Sequence, residues 1–186
     1  MFNFPAGLYC DVRVERNRET MISYLKGEIR EMRERDTAGA FIRVYDGGRW
    51  YFSSITALDR VQGEIDRLAA LAAPNADIAA DKMVQALPGS SPAPVTLVGE
   101  DLKAVPLAAK HALLASFFPQ VTAEPAITMW SCFYKDTCTH KELYNSKGAV
   151  IVSDQQTCGL RYNLSFSENG RTFAESKIWP PATWPA

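Results

Sequence analysis

The sequence is short of charge excess, of histidine and of long apolar runs, and each shortage narrows what the chain can do. Its 186 residues hold 20 Lys and Arg against 21 Asp and Glu, a net charge of -1. Nucleic-acid-binding domains gain affinity by neutralising phosphates and usually carry a basic excess, so this balance argues against nucleic acid as a partner. No apolar run approaches the roughly 20 residues that a membrane-spanning helix needs, which argues against a membrane role. The first ten residues have no basic stretch followed by an apolar core, so neither a secretory signal nor a lipid-modified Cys10 is expected. Only two histidines, His111 and His140, and four cysteines, Cys10, Cys132, Cys138 and Cys158, are present. Without a leader, the default is a cytoplasmic protein with reduced thiols.

What is there is ordinary for a globular protein, with 47% hydrophobic and 22% charged residues. Cys10 to Arg16 alternates, with Val12 and Val14 on one face and Asp11, Arg13 and Glu15 on the other, as in a half-buried strand. Glu19 to Arg35 supports two readings. Ile22, Leu25, Ile29 and Met32 have the spacing of an amphipathic helix; the rival is a pair of strands, Thr20–Leu25 and Glu28–Arg33, turning at Lys26-Gly27. Phe41–Tyr45 and Trp50–Phe52 are aromatic and β-branched around Asp46-Gly47-Gly48, which predicts a hairpin. Thr56, with Asp59 in capping-box spacing, opens a helix whose stripe is Leu58, Val61, Ile65, Leu68 and Ala72. Residues 88–94 are a connector rich in Pro, Gly and Ser. A second helix runs from Pro106 to Phe118, and Pro119 is expected to stop it. Short strands follow at Ile127–Tyr134, Lys141–Tyr144, Ala149–Ser153, Cys158–Phe166 and Arg171–Glu175, before a Pro-rich tail at 179–186.

Candidate chemistry is sparse. Cys132, Cys138 and His140 share a parity, but Lys135-Asp136-Thr137 is a possible turn, and the spacing matches no standard zinc site; buried structural thiols are the simpler reading. His111 on its helix and Cys158 on its strand have no partner nearby in sequence. The mixed charges from Asp11 to Glu19 read as a solvated strand face. Trp50, Tyr51 and Phe52 cannot all point inward on one strand, so Trp50 and Tyr51, together with Arg43 on the facing strand, are the candidate interaction residues.

The blocks Asp11–Arg16, Ala38–Ser54 and Tyr144–Val150, in this order and spacing across roughly residues 9–177, resemble the start of TldD/PmbA proteins, also called modulators of DNA gyrase. The resemblance tips Glu19–Arg35 towards two strands. It implies an α+β fold with an antiparallel or mixed sheet and two main helices packed against it. The expected organisation is one amino-terminal-type domain over 1–186, with halves at about 1–87 and 95–178. In this family a carboxy-terminal domain follows, and in the TldD type that domain carries a His-Glu-x-x-x-His helix and binds zinc. His111 is followed by Ala112-Leu113-Leu114 and His140 by Lys141-Glu142-Leu143, so neither opens that motif. No catalytic and no metal-ligating residue is assigned here; zinc is implied only for the carboxy-terminal domain of TldD-type relatives. The implied function is a non-catalytic wall and interaction domain of a peptide-degrading metallopeptidase. It would pair as a homo- or hetero-dimer with a TldD/PmbA-type subunit, and peptide is the substrate of the assembly. One alternative is a stand-alone binding module that docks on a full-length relative; another is an enzyme using the cysteines.

Overall fold

Glu19–Arg35 is a hairpin and not a helix. In the computed structural model, which describes residues 2–96 and 100–179, β1 (Tyr9–Leu25) turns into β2 (Glu28–Tyr45) at Lys26-Gly27. Both turn residues have positive φ, 52° and 83°, the combination that fits the twist of a tight hairpin. The helical spacing of Ile22, Leu25, Ile29 and Met32 is coincidental: Ile22 is buried, whereas Ile29 and Met32 are exposed. The expected break between Arg16 and Thr20 is absent, and β1 continues through it.

The architecture is α+β. Six antiparallel strands lie in the order β3-β2-β1-β4-β5-β6, with β3 at Trp50–Ile55, β4 at Ile127–Asn145, β5 at Val150–Glu168 and β6 at Arg171–Trp179. The predicted Asp46–Gly48 hairpin holds, pairing Ala40–Tyr45 with Trp50–Ile55. Lys135–Thr137 is not a turn. β4 runs straight through it, and β5 likewise merges two predicted strands. Helices are α1 (Val61–Ala69), α2 (Lys82–Ala86), α3 (Leu107–Ala115) and α4 (Phe118–Ala123). Thr56 does not cap α1, which is entered through a short 3-10 turn, Leu58–Arg60, lacking any side-chain cap. Pro119 lies in the first turn of α4 and does not end a helix; the first turn tolerates its missing N–H. Short α2, unforeseen in the sequence, is capped by Asp81, which accepts from the Met83 and Val84 amides.

Two compact units arise, and they are not the sequential halves 1–87 and 95–178. One comprises Met1–Arg16, Thr37–Thr96 and Thr139–Asp154; the other comprises Asn17–Asp36, Leu97–Cys138 and Gln155–Ala186. The physical reason is strand length. Strands of 17 to 19 residues are long enough to contribute to two cores. The first unit packs Cys10, Val12, Val14, Ala40, Ile42 and Val44 of its strands against Val61, Ile65 and Leu68 of α1. At about 1.5–3 kcal/mol per buried aliphatic side chain, these three α1 residues dock the helix. On the opposite sheet face, Tyr9, Tyr45 and Trp50 meet Ile78, Val84 and Leu87. The connector 88–94 belongs to this unit, where the Pro88 carbonyl accepts from Asn145 and the Ser91 hydroxyl accepts from the Val150 amide. The second unit buries Ile22, Tyr24, Trp130, Tyr134, Leu160 and Tyr162 under Leu114 of α3 and Phe117, Phe118 and Val121. The irregular tail expected from residue 179 starts one residue too early, since β6 reaches Trp179; residues 180–186 lie outside the described residues.

Candidate interaction site

The strand face expected to be solvated charge is only partly so: Arg13 and Glu15 are exposed, and Asp11 is buried. Arg43 on β2 forks onto Asp11 of β1: Nε donates to Oδ1 at 3.0 Å and Nη2 to Oδ2 at 2.5 Å. The Tyr9 hydroxyl donates to the same carboxylate at 3.2 Å. Arg43 keeps 24% of its side-chain surface, against 1% for Asp11. The bond to Asp11 pushes the Arg43 pKa up, so this guanidinium remains charged.

The three aromatics of β3 go to three environments. Trp50 stacks on Tyr45 with ring centres 4.7 Å apart and meets Tyr9 edge-on. The Arg43 guanidinium lies 4.7 Å from the Trp50 ring centre, a cation–π contact. Tyr51 takes the opposite face, packs against the α1 core, and donates its hydroxyl to Asp46 at 3.0 Å. Asp46 also accepts the Gly48 and Arg49 amides at 2.8 Å. Bonds from Gly48, Arg49 and Tyr51 hold its carboxyl down at about 2. Phe52 is left facing outward, 67% exposed, opposite Arg43 in the ladder and with the Phe41 ring 6.3 Å away. An open groove of about 830 Å³ flanks the end of β3, lined by Arg13, Glu15, Phe41, Ser54, Arg60 and Glu64 among others. The structure thus brings Arg43 and Trp50 into contact and sends Tyr51 to the other side of the strand.

The remaining candidates sit in closed polar networks. His140 is held between two carboxylates, Nδ1 at 2.7 Å from Asp154 and Nε2 at 2.9 Å from Glu142. Arg16 and the Tyr144 hydroxyl also donate to Glu142. The bond to Asp154, aided by Glu142, raises the His140 pKa. Burial alone would raise Glu142, but the donors around it outweigh that and leave its pKa lowered. His111 pairs with the Tyr24 hydroxyl. In the second unit, Lys110 of α3 donates to Asp136 at 2.7 Å and to Thr20 at 2.8 Å, and Tyr134 donates to Asp136 at 2.6 Å. This pair has a signal in the sequence: Lys110 lies three residues after Leu107 and four before Leu114, on the inward stripe of its helix.

All four cysteines are buried and free. Burial pushes the Cys10 thiol up to about 12 and Cys132 to about 11, and it raises Cys138 and Cys158 too. Nucleophilic cysteines need a lowered pKa, so these thiols are poorly suited to that role. Among the described residues no group of three or more His, Cys, Asp and Glu is placed to hold a metal ion. No helix among the described residues is long and apolar enough to cross a membrane.

Comparison with known proteins gives this arrangement a lineage. Residues 10–76 match the family model for PmbA/TldA metallopeptidase domain 1. No curated protein matches the chain. Among solved structures, the fold is similar to a proposed modulator of a DNA gyrase from Thermotoga maritima MSB8, with a TM-score of 0.72 and 11% identity over 95% of this chain. It is also similar to a proposed modulator of DNA gyrase from Bacteroides thetaiotaomicron VPI-5482, with a TM-score of 0.66 and 15% identity over 92% of this chain. TldE from Thermococcus kodakarensis gives a TM-score of 0.67 and 14% identity over 94% of this chain. The chain spans 40% of the length of each of these three. Residues 10–76 thus match the first domain of the PmbA/TldA metallopeptidase family, and the fold is similar to that of these proposed gyrase modulators and of TldE.

Proposed function

We propose that this chain is a non-catalytic wall and interaction domain for peptide processing by a TldD/PmbA-type metallopeptidase, working in the cytoplasm. The observation that carries this reading is the way its titratable groups are bonded to one another. Asp11 with Arg43, Lys110 with Asp136, and His140 with Asp154 and Glu142 leave little free to activate water or a peptide. Catalysis and zinc belong, on this reading, to the carboxy-terminal domain of TldD-type relatives. The partner is a TldD/PmbA-type subunit in a homo- or hetero-dimer, peptide is the substrate of the assembly, and neither nucleic acid nor membrane is a partner. Arg43, Trp50 and Tyr51 form the contact hairpin, with Phe52 projecting from it. The purified chain is expected to cleave no peptide and to hold no stoichiometric zinc, by peptidase assay and elemental analysis. It should bind a full-length TldD/PmbA-type subunit, and Phe52→Ser should weaken that binding without altering the thermal melt. About one zinc per chain after gentle chelation, or unchanged binding by Phe52→Ser, would sink the corresponding half of the proposal.

A further inference from the structure

The groove at the end of β3 lies wholly within the first unit, and its charges do not balance. β1 contributes Arg13 and Glu15, β2 Phe41 and β3 Ser54, while the 3-10 turn and α1 supply Arg60 and Glu64. Both carboxylates already have other cations: Lys141 lies 3.8 Å from Glu15, and Arg67 lies 2.8 Å from Glu64. Asp11, next along β1, takes Arg43. Arg13 and Arg60 are exposed, and neither side chain has an ion pair or hydrogen bond among the described residues. The groove therefore holds two positive charges without a counter-charge of their own. An unpaired guanidinium presents a fork of N–H donors that matches a carboxylate or a phosphate.

Space and backbone are provided as well. Gly39 keeps the groove open, since a Cβ there would lie 3.2 Å from the Ile55 carbonyl oxygen. The volume of about 830 Å³ lies high in the range of ligand pockets, roughly 300–1,000 Å³, and a lone carboxylate or phosphate would leave most of it empty. β3 is the last strand on its side of the sheet, so its outer N–H and C=O groups can bond an extended main chain. The half-buried Phe41 ring adds an apolar wall. We infer that this groove binds the free carboxyl terminus of a peptide. Arg13 and Arg60 pair with the terminal carboxylate, and Phe41 flanks an apolar last side chain. A peptide end supplies the anion, the apolar group and the main chain together, whereas a small acid lacks the main chain. The inference deepens the peptide side of the proposed function and rests on it, but it makes no use of Phe52 or the subunit contact.

The test is fluorescence anisotropy of the whole chain with a labelled pentapeptide ending in leucine, prepared as the free acid and as the carboxamide. The free acid should bind, and more weakly as salt rises. The carboxamide should bind at least about tenfold more weakly, because the terminal charge is gone. Arg13→Gln and Arg60→Gln should each weaken the free acid by about tenfold and leave the carboxamide unchanged. Arg171→Gln, at an exposed arginine of the second unit, should change neither. Phe41→Ser should narrow the preference for leucine over glycine at the last position. Thermal melts of the arginine variants should overlay that of the unmodified chain. Equal binding of acid and carboxamide, no binding of the free acid, or normal binding by both groove-arginine variants overturns the inference. So does displacement of the peptide by equimolar leucine or inorganic phosphate, which would give the groove to a small anion. These outcomes are separable from those that judge the wall-domain reading: a chain without carboxylate-dependent binding can still hold a TldD/PmbA-type subunit through Phe52, and one that ignores the subunit can still hold the peptide.

Discussion

The two units each bury one ion pair beneath an aromatic neighbour, and they bury it to different depths. In the first, Asp11 is inaccessible but the Arg43 guanidinium keeps 24% of its surface and rests on Trp50. In the second, Lys110 and Asp136 each retain 1%. A partly wet arginine can hold its charge in water while its fork bonds a carboxylate. A fully buried lysine has no such recourse and depends entirely on Asp136 and Thr20. The comparison teaches that removing one partner is costly in proportion to how completely the other is stranded.

The largest effect should follow Lys110→Ala. It strands Asp136 in the core with only the Tyr134 hydroxyl and the Thr20 amide, and should cost about 3–5 kcal/mol in chemical denaturation. If the loss is below about 1 kcal/mol, water reaches Asp136 and the contrast with the first unit collapses. Arg43→Ala comes next, at about 2 kcal/mol, since Tyr9 still serves Asp11 and water can enter where the guanidinium was. A cost equal to that of Lys110→Ala would show that exposure of the partner does not matter.

The smallest effect is a pH dependence confined to the first unit. His140 has a folded pKa raised above its unfolded value, chiefly by Asp154. Its contribution is therefore complete below the ordinary histidine value of about 6.5 and is lost as pH rises through the folded value. Asp154 and Glu142 face the ring, and Arg16 opposes it through Glu142. His140→Gln should destabilise the chain most at acidic pH, with the difference from the parent shrinking as pH rises past the folded value. A difference that grows with pH would reverse the assignment of the proton.

Much of the fold was legible where local chemistry decides it. Lys26-Gly27 and Asp46-Gly47 mark turns because their backbones need positive φ, and the stripe Val61, Ile65, Leu68 marks α1 because one face must be buried. The long strands were not legible. Lys135-Asp136-Thr137 reads as a turn because its residues are polar, yet Asp136 is buried by virtue of a lysine 26 positions earlier in the chain. The same blindness made Asp11 look solvated. Burial of a charge depends on a distant partner, and local alternation carries no record of that partner. Trp50 and Tyr51 were legible as a pair that must diverge, but their destinations depended on Tyr45 and Asp46, which only the folded chain brings to them.

The placement of the four thiols gives the protein its own reporters. Cys10 lies in the first unit and Cys132, Cys138 and Cys158 lie in the second, all buried, Cys158 the least deeply. An alkylating reagent reaches a sealed thiol only when its surroundings open. The order in which the four are labelled therefore records which unit breathes first, without a single engineered probe.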